Sequence, residues 1–146
     1  FREHLRLAKE HDLPVILHTP ICLAPQGPVV TPRVFEIIKE EGYPVERCVF
    51  DHAAEETLEF RMSTGGMVGL SICWDKMPPE VAARIVIDHP EWRDRLIINS
   101  ELGGMDNDYF MVPRVQLAMK LFGLDKETID QVCYRTPRDF FNLPVD

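Results

Sequence analysis

Four short apolar runs divide this chain, and each run stops at a cluster of polar residues. In chain order, residues 13–17 precede His18-Thr19, residues 47–50 precede Asp51-His52, residues 66–72 precede Cys73-Trp74-Asp75, and residues 95–98 precede Asn99-Ser100-Glu101. Segments with apolar residues at helical spacing separate the runs, so strands and helices alternate. In an alternating α/β chain, the carboxyl ends of the parallel strands meet at one edge of the sheet. The polar clusters are therefore predicted to share that edge.

Turn and cap residues predict where the helices begin and end. A first helix is predicted over residues 1–11, and Thr31 followed by Pro32 predicts the N-cap and first turn of a second helix, which stops near Gly42. The intervening residues 19–30 are predicted to form a long loop at the catalytic edge. Further helices are predicted over residues 53–63, 108–122, 126–134 and 136–141, and another is predicted to open at Pro78-Pro79 and to end at His89-Pro90.

The length of the chain predicts part of a barrel. A closed eight-stranded α/β barrel takes about 250 residues, or roughly 30 for each strand–helix unit. The 146 residues therefore accommodate four units, and the chain opens inside a helical pattern, without an initiator Met. We predict one partial domain over residues 1–146: the carboxyl-terminal half of a (β/α)8 TIM barrel, with about four parallel strands and flanking helices, and with the amino-terminal half missing.

Composition narrows the class of protein. The net charge is −8 and no cluster of Lys or Arg appears, which disfavours a nucleic-acid partner without excluding one. The four cysteines, at positions 22, 48, 73 and 133, form no CxxC pair, so a zinc ribbon or a disulfide scaffold is not expected. No apolar run is long enough to cross a membrane and no signal peptide is seen. We expect a cytoplasmic protein without a membrane partner.

Three residues at the predicted edge are candidates for metal chemistry. Imidazole binds divalent metals, and His18 and His52 each follow a buried strand in similar positions. Glu101, after the fourth strand, is a candidate metal ligand and base. Each has a structural alternative: a histidine hydrogen-bonded at the edge of the core, or a carboxylate held by backbone amides. Asp51 is predicted to face away or to orient a neighbour, because adjacent strand residues point to opposite sides.

The other polar residues are weaker candidates. Trp74 and Asp75 are predicted either to line a substrate pocket or, in the case of Trp74, to cover the core. Asn99 and Ser100 are candidates for polar support. Cys22 is predicted to lie in the long loop. The other histidines, His4, His11 and His89, are predicted to face solvent or to cap helices.

Five segments, taken in order, match a known family. They are AKEHDLPVILHT at 8–19, VFDH at 49–52 followed by Glu55-Glu56-Thr57, GGMVGLS at 65–71, RLIINSE at 95–101 and TPRDFF at 136–141. Together they resemble the carboxyl-terminal half of the TatD-related metal-dependent hydrolases of the amidohydrolase superfamily. The segment NSELG at 99–103 is closer to the poorly characterised TatD-related group than to its deoxyribonuclease members.

The resemblance implies a barrel that binds one or two divalent metals through a His-x-His pair on strand one, a mid-barrel glutamate, histidines on strands five and six, and an aspartate on strand eight. His18 matches the strand-five histidine, His52 the strand-six histidine, and Glu101 replaces the aspartate. The extra methylene displaces the carboxylate by roughly 1–1.5 Å, and such a misplacement can cost about a hundredfold in rate. The strand-one pair and the mid-barrel glutamate have no counterpart in this chain.

Three hypotheses follow. The first is a metal-dependent hydrolase, in which metal-activated water attacks a phosphoester, ester or amide bond of a small-molecule substrate. Its metal is zinc, manganese, iron, nickel or magnesium; deoxyribonuclease activity is the alternative within this class. The second is a degenerate barrel that binds a partner without turnover. The third is a half-barrel that pairs with another chain as a homo-oligomer, because four parallel strands leave two open edges. The 146-residue chain alone is expected to be inactive or poorly stable.

Overall fold

A computed structural model describes residues 1–19, 27–74, 76–101 and 108–144 of the chain. The described strands are β1 (Val15–Leu17), β2 (Cys48–Phe50), β3 (Met67–Ile72) and β4 (Leu96–Ser100). The described helices are α1 (Arg2–Glu10), α2 (Gly27–Glu40), α3 (Glu55–Ser63), α4 (Pro79–Asp88), α5 (Met111–Leu121), α6 (Lys126–Asp130) and α7 (Thr136–Phe140). Short 3-10 turns at Val45–Arg47 and Pro90–Trp92 lead into β2 and β4.

The strands form one sheet in the order β1-β2-β3-β4, which is their order in the sequence. β1 pairs with β2 in parallel, with Leu17 opposite Phe50, and β2 pairs with β3 in parallel, with Phe50 opposite Val68. Helices connect successive strands, as parallel pairing requires. The predicted fold class, α/β with four parallel strands and flanking helices, is confirmed.

The chain forms two compact units, Phe1–Val68 and Gly69–Asp146, and their boundary lies inside β3. In the first unit, the apolar face of α1 packs with α2 and the first two strands. The buried residues of this core are Leu5, Ala8, Leu17, Ile38, Tyr43, Cys48 and Phe50. Helix α1 contributes Leu5 and Ala8 to this core from one face, whereas Phe1 is 49% exposed. Ile16 in β1 differs, because 60% of it is exposed.

In the second unit, β4 and the end of β3 are accompanied by α4, α5 and the terminal helices. In α4, Ile85 and Val86 are buried, whereas Val81 is only half-buried. A π-helical turn, Gln131–Arg135, interrupts the helix predicted over residues 126–134. Single π-helical turns of this kind are rare, and the apolar spacing of the segment did not predict this one. No helix among the described residues is long and apolar enough to cross a membrane.

The start of α2 corrects one prediction. The helix begins at Gly27 rather than after Thr31, so Pro32 lies inside it and Thr31 is almost fully buried. Two prolines in this region, Pro28 and Pro32, each suit the first turn of a helix, and the structure uses the earlier one. The predicted loop is therefore shorter at its carboxyl side than residues 19–30, and residues 20–26 lie outside the described part. The end of the helix near Gly42 is confirmed by a positive φ of +58° at that glycine.

Candidate functional site

His18 and His52 meet directly beyond the carboxyl ends of β1 and β2. The Nδ1 atom of His18 lies 2.8 Å from Nε2 of His52, within hydrogen-bond distance. The two rings are nearly perpendicular, with centroids 4.4 Å apart. His52 is buried, whereas His18 is exposed. The two histidines therefore lie close together at one edge of the sheet, as expected, and His18 leaves the pair accessible to solvent.

The backbone of His52 explains how the pair forms. Leu17 is opposite Phe50 in the β1–β2 register, so the next residues in register are His18 and Asp51, not His52. In a straight strand, His52 would project to the other side of the sheet. It has instead a φ of +59°, in the left-handed region that non-glycine residues rarely adopt. This conformation breaks the alternation and corrects the expectation that the two histidines occupy equivalent positions after their strands.

A buried arginine, Arg61, binds the carbonyl oxygen of the peptide bond between Asp51 and His52. Arg61, on α3, is 0% exposed and donates to the carbonyl oxygen of Asp51 and to the Oγ1 atoms of Thr19 and Thr57. Thr19 also donates to the Asp51 carbonyl at 2.7 Å. The Asp51 carboxylate lies 3.9 Å from Nε2 of His52. Arg61 and Thr19 are thus positioning residues for the strand ends that carry His18 and His52.

The histidine pair has the chemistry of two metal ligands. Zinc binds imidazole nitrogen at about 2.0–2.1 Å, so two nitrogens at one tetrahedral metal lie roughly 3.3–3.4 Å apart. The observed separation is 2.8 Å, so the two nitrogens would have to move apart and the rings turn until both lone pairs point at one metal. Within the described residues, however, no group of three or more His, Cys, Asp or Glu side chains lies close enough together to hold a metal. The pair fits part of a metal site.

Glu101 lies in the second unit and has an ion pair of its own. Its backbone N–H donates to the Ile72 carbonyl at 3.3 Å, which places the residue beside the end of β3. Its Oε1 atom accepts a hydrogen bond from the ammonium of Lys76, and its Oε2 atom lies 3.9 Å from the Sγ atom of Cys73. The predicted candidate is therefore a carboxylate already neutralised by a lysine. Nearby, the amide of Asn99 donates to Ser71 at 3.1 Å.

A tight turn positions Lys76. Cys73 and Met77 exchange two backbone hydrogen bonds of 3.2 Å each, forming an isolated antiparallel bridge. This bridge folds the segment after β3 back on the strand end, so that Lys76 reaches Glu101. Trp74, in the same turn, is 48% exposed and has the guanidinium of Arg114 5.5 Å from its ring.

The remaining candidates either have contacts typical of surface, cap or core residues or lie outside the residues that the structure describes. Trp74 lines a cavity of about 130 Å³ beside α4 and α5 rather than covering the core. His4 and His11 are exposed, and His89 is the C-cap of α4. Asp75 and Cys22 lie outside the described residues. Burial raises the pKa of the Cys48 thiol to about 12 and that of Cys133 to about 11, so both stay protonated at neutral pH.

Two polar residues of these clusters, Arg61 and Lys76, were missed by the sequence analysis. Arg61 stands in α3 between Phe60 and Met62, four residues after Thr57, and that spacing placed it on the same helix face as a threonine. An arginine between apolar neighbours was the available signal for burial. Lys76 had no such signal, because its contact depends on the turn closed by Cys73 and Met77.

Comparisons with known proteins found similar chains, although no protein-family model matches this one. An uncharacterized metal-dependent hydrolase of Methanocaldococcus jannaschii is 29% identical over 143 residues, which are 97% of this chain and 54% of that protein. The crystal structure of a TatD-like protein from Archaeoglobus fulgidus superposes with a TM-score of 0.67 at 27% identity, over 97% of this chain and 52% of the other. The chain is similar to TatD-like metal-dependent hydrolases.

The predicted resemblance to TatD-related proteins is thereby confirmed. A phosphotriesterase from Mycobacterium tuberculosis also superposes, with a TM-score of 0.71 over 96% of this chain and 50% of that one. Its identity of 20% supports the shared fold alone. The chain spans about half the length of the TatD-like and hydrolase relatives it matches.

Proposed function

We propose that the protein is a metal-dependent hydrolase of the TatD-related type, and that His18 and His52 bind its divalent metal. The observation that carries the proposal is the meeting of two imidazole nitrogens, 2.8 Å apart, beyond two adjacent parallel strands. Active sites of (β/α)8 barrels lie at that end of the strands. The similarity to proteins named TatD-like and metal-dependent hydrolase supports the same class.

The proposed roles of the residues follow from their chemistry. When bound, a divalent metal supplies Lewis acidity and lowers the pKa of a bound water towards about 7. His18 and His52 bind the metal as neutral imidazoles, and Arg61 and Thr19 keep the strand ends in place. Glu101 is proposed as a further ligand and as the base that accepts a proton. The bond attacked is a phosphoester, ester or amide of a small-molecule substrate, and the metal is zinc, manganese, iron, nickel or magnesium.

A second candidate function is binding without turnover. The ion pair between Lys76 and Glu101 favours it, because one oxygen of this carboxylate is already engaged by an ammonium group. Glu101→Asp distinguishes the two functions. Under the scaffold hypothesis, this variant gains hydrolase activity that the wild type lacks. Under the hydrolase hypothesis, the wild type is already active.

Metal analysis tests the proposed function. Elemental analysis is made on the full-length protein as encoded, beside a His18→Ala, His52→Ala double variant and a His4→Ala, His11→Ala control that removes two exposed histidines of the first unit. We expect stoichiometric metal in the wild type and the control, and its loss in the His18, His52 variant. Metal retained by that variant, or absent from the wild type, would contradict the assignment of the two histidines.

A further inference from the structure

The Lys76–Glu101 pair suggests a role for Lys76 that the proposed hydrolase function does not include. The Lys76 ammonium contacts one oxygen of the Glu101 carboxylate, and the two side chains are only 26% and 19% exposed. A pair so shielded from water is screened less than a surface ion pair. The carboxylate that is proposed as a metal ligand therefore already has a cation beside it.

Both partners are held by the backbone, so the pair is more than a chance meeting of long side chains. Glu101 is fixed by the hydrogen bond from its N–H to the Ile72 carbonyl. Lys76 is fixed by the two hydrogen bonds between Cys73 and Met77 that close its turn. Because the turn sets where the lysine stem begins, the ammonium needs little further ordering to reach the carboxylate.

We propose that the Lys76 ammonium is the resident cation at Glu101 and that its positive charge weakens the binding of a divalent metal to that carboxylate. This inference rests on the proposed hydrolase function. A metal ion at Oε1 would have to break the existing ion pair, and a metal ion at Oε2 would be repelled by the nearby ammonium charge. Lys76 consequently lowers the affinity of the protein for its metal.

Metal titration of matched variants tests this inference. Zn²⁺ and Mn²⁺ are titrated into the metal-free full-length protein by calorimetry, in the wild type, Lys76→Met and Lys76→Arg. Methionine keeps an unbranched stem without the charge, and arginine keeps the charge. Lys126→Met is the control, because Lys126 pairs with Asp130 on α6 and is 88% exposed. We expect Lys76→Met to bind metal about tenfold more tightly than the wild type, a change of about 1.4 kcal/mol. Lys76→Arg and Lys126→Met should match the wild type.

A second variant assigns the gain to Glu101. Adding Glu101→Gln to Lys76→Met should abolish the increase in affinity, because the amide cannot replace the carboxylate. An unchanged or weaker affinity in Lys76→Met would overturn the inference, and it would leave the proposed function standing if His18→Ala, His52→Ala still loses the metal. Metal binding by Lys76→Met when the wild type binds none would support the inference about Lys76 and would contradict the proposed metal site of the wild type. No binding by either protein would overturn both the inference and the proposed function.

Discussion

Arg61 connects the ends of β1 and β2, the two strands that precede His18 and His52. It is completely buried and donates to the Asp51 carbonyl, to Thr19 and to Thr57. Arg61→Met removes these charge-assisted hydrogen bonds from a buried site, so we expect it to lower the free energy of unfolding by about 3 kcal/mol. Urea denaturation measures this loss. Metal affinity should fall about tenfold, as for other residues that orient metal ligands.

An exposed arginine provides the comparison for Arg61. Arg33→Met removes a guanidinium on α2 that is 52% exposed and pairs with Glu36 and Glu40. Pairs of this kind contribute about 0–1 kcal/mol, so the control should change stability little and metal affinity not at all. Equal losses of stability in the two variants would contradict the structural role given to Arg61.

Gly66 lies so close to β2 and the 3-10 turn before it that a side chain there would not fit. A Cβ atom there would lie 2.8 Å from a ring carbon of Phe50, and 3.0 and 3.1 Å from the carbonyl oxygens of Val45 and Cys48. Because two of these three atoms belong to the backbone, Gly66→Ala should destabilise the protein by about 2–3 kcal/mol, measured by urea denaturation. Gly123→Ala, with no atom within 4 Å but a φ of +94°, should cost only about 1 kcal/mol.

Helices α1 and α2 are joined by a cluster of ion pairs whose strength depends on pH. Glu41 accepts hydrogen bonds from Arg6 and Arg2, both at 2.7 Å, and these bonds lower the pKa of its carboxyl group. A carboxyl group whose pKa is lower in the folded state stabilises the fold above its unfolded pKa, which is about 4.3 for Glu. That contribution disappears as the pH falls through the folded-state pKa.

The prediction for this element is a pH-dependent difference between two proteins. Glu41→Gln should be less stable than the wild type at pH 7, and the difference in unfolding free energy should close as the pH falls below about 4. Urea denaturation at pH 7, 5 and 3.5 measures it, and added salt should reduce the difference at pH 7. Glu59→Gln, which removes an exposed carboxylate from α3, is the control. A difference that is constant with pH would contradict the assignment.

The elements could be predicted because their signals are local, whereas the contacts of the site could not. Buried parallel strands such as β3 are continuous apolar runs, and Gly42 marks a helix end by its positive φ. No sequence pattern predicts the left-handed backbone conformation of His52. Only the register between β1 and β2 shows that His52 would otherwise project to the other side of the sheet from His18. The predicted start of α2 was wrong, because both Pro28 and Pro32 suit the first turn of a helix. In both cases the local sequence allows more than one conformation, and tertiary packing determines which one is adopted.

At the scale of the whole molecule, the parallel sheet as described ends at β1. A strand at the edge of a sheet offers unpaired backbone groups to another chain. The central residue of β1, Ile16, is apolar and 60% exposed among the described residues. For the 146-residue chain produced by itself, we therefore expect β1 to be the contact in the predicted homo-oligomer.

Self-association of the 146-residue chain should therefore depend on Ile16. Sedimentation velocity over a range of concentrations is expected to show dimers or larger species, and Ile16→Lys should shift the distribution towards monomer by placing a charge at the contact. Val29→Lys is the matched control, because Val29 is an apolar residue of α2 that is 70% exposed but has no strand edge to offer. Equal effects of the two lysines would assign the association to general hydrophobicity. Monomer at every concentration would show that the exposed β1 residue does not recruit a second copy.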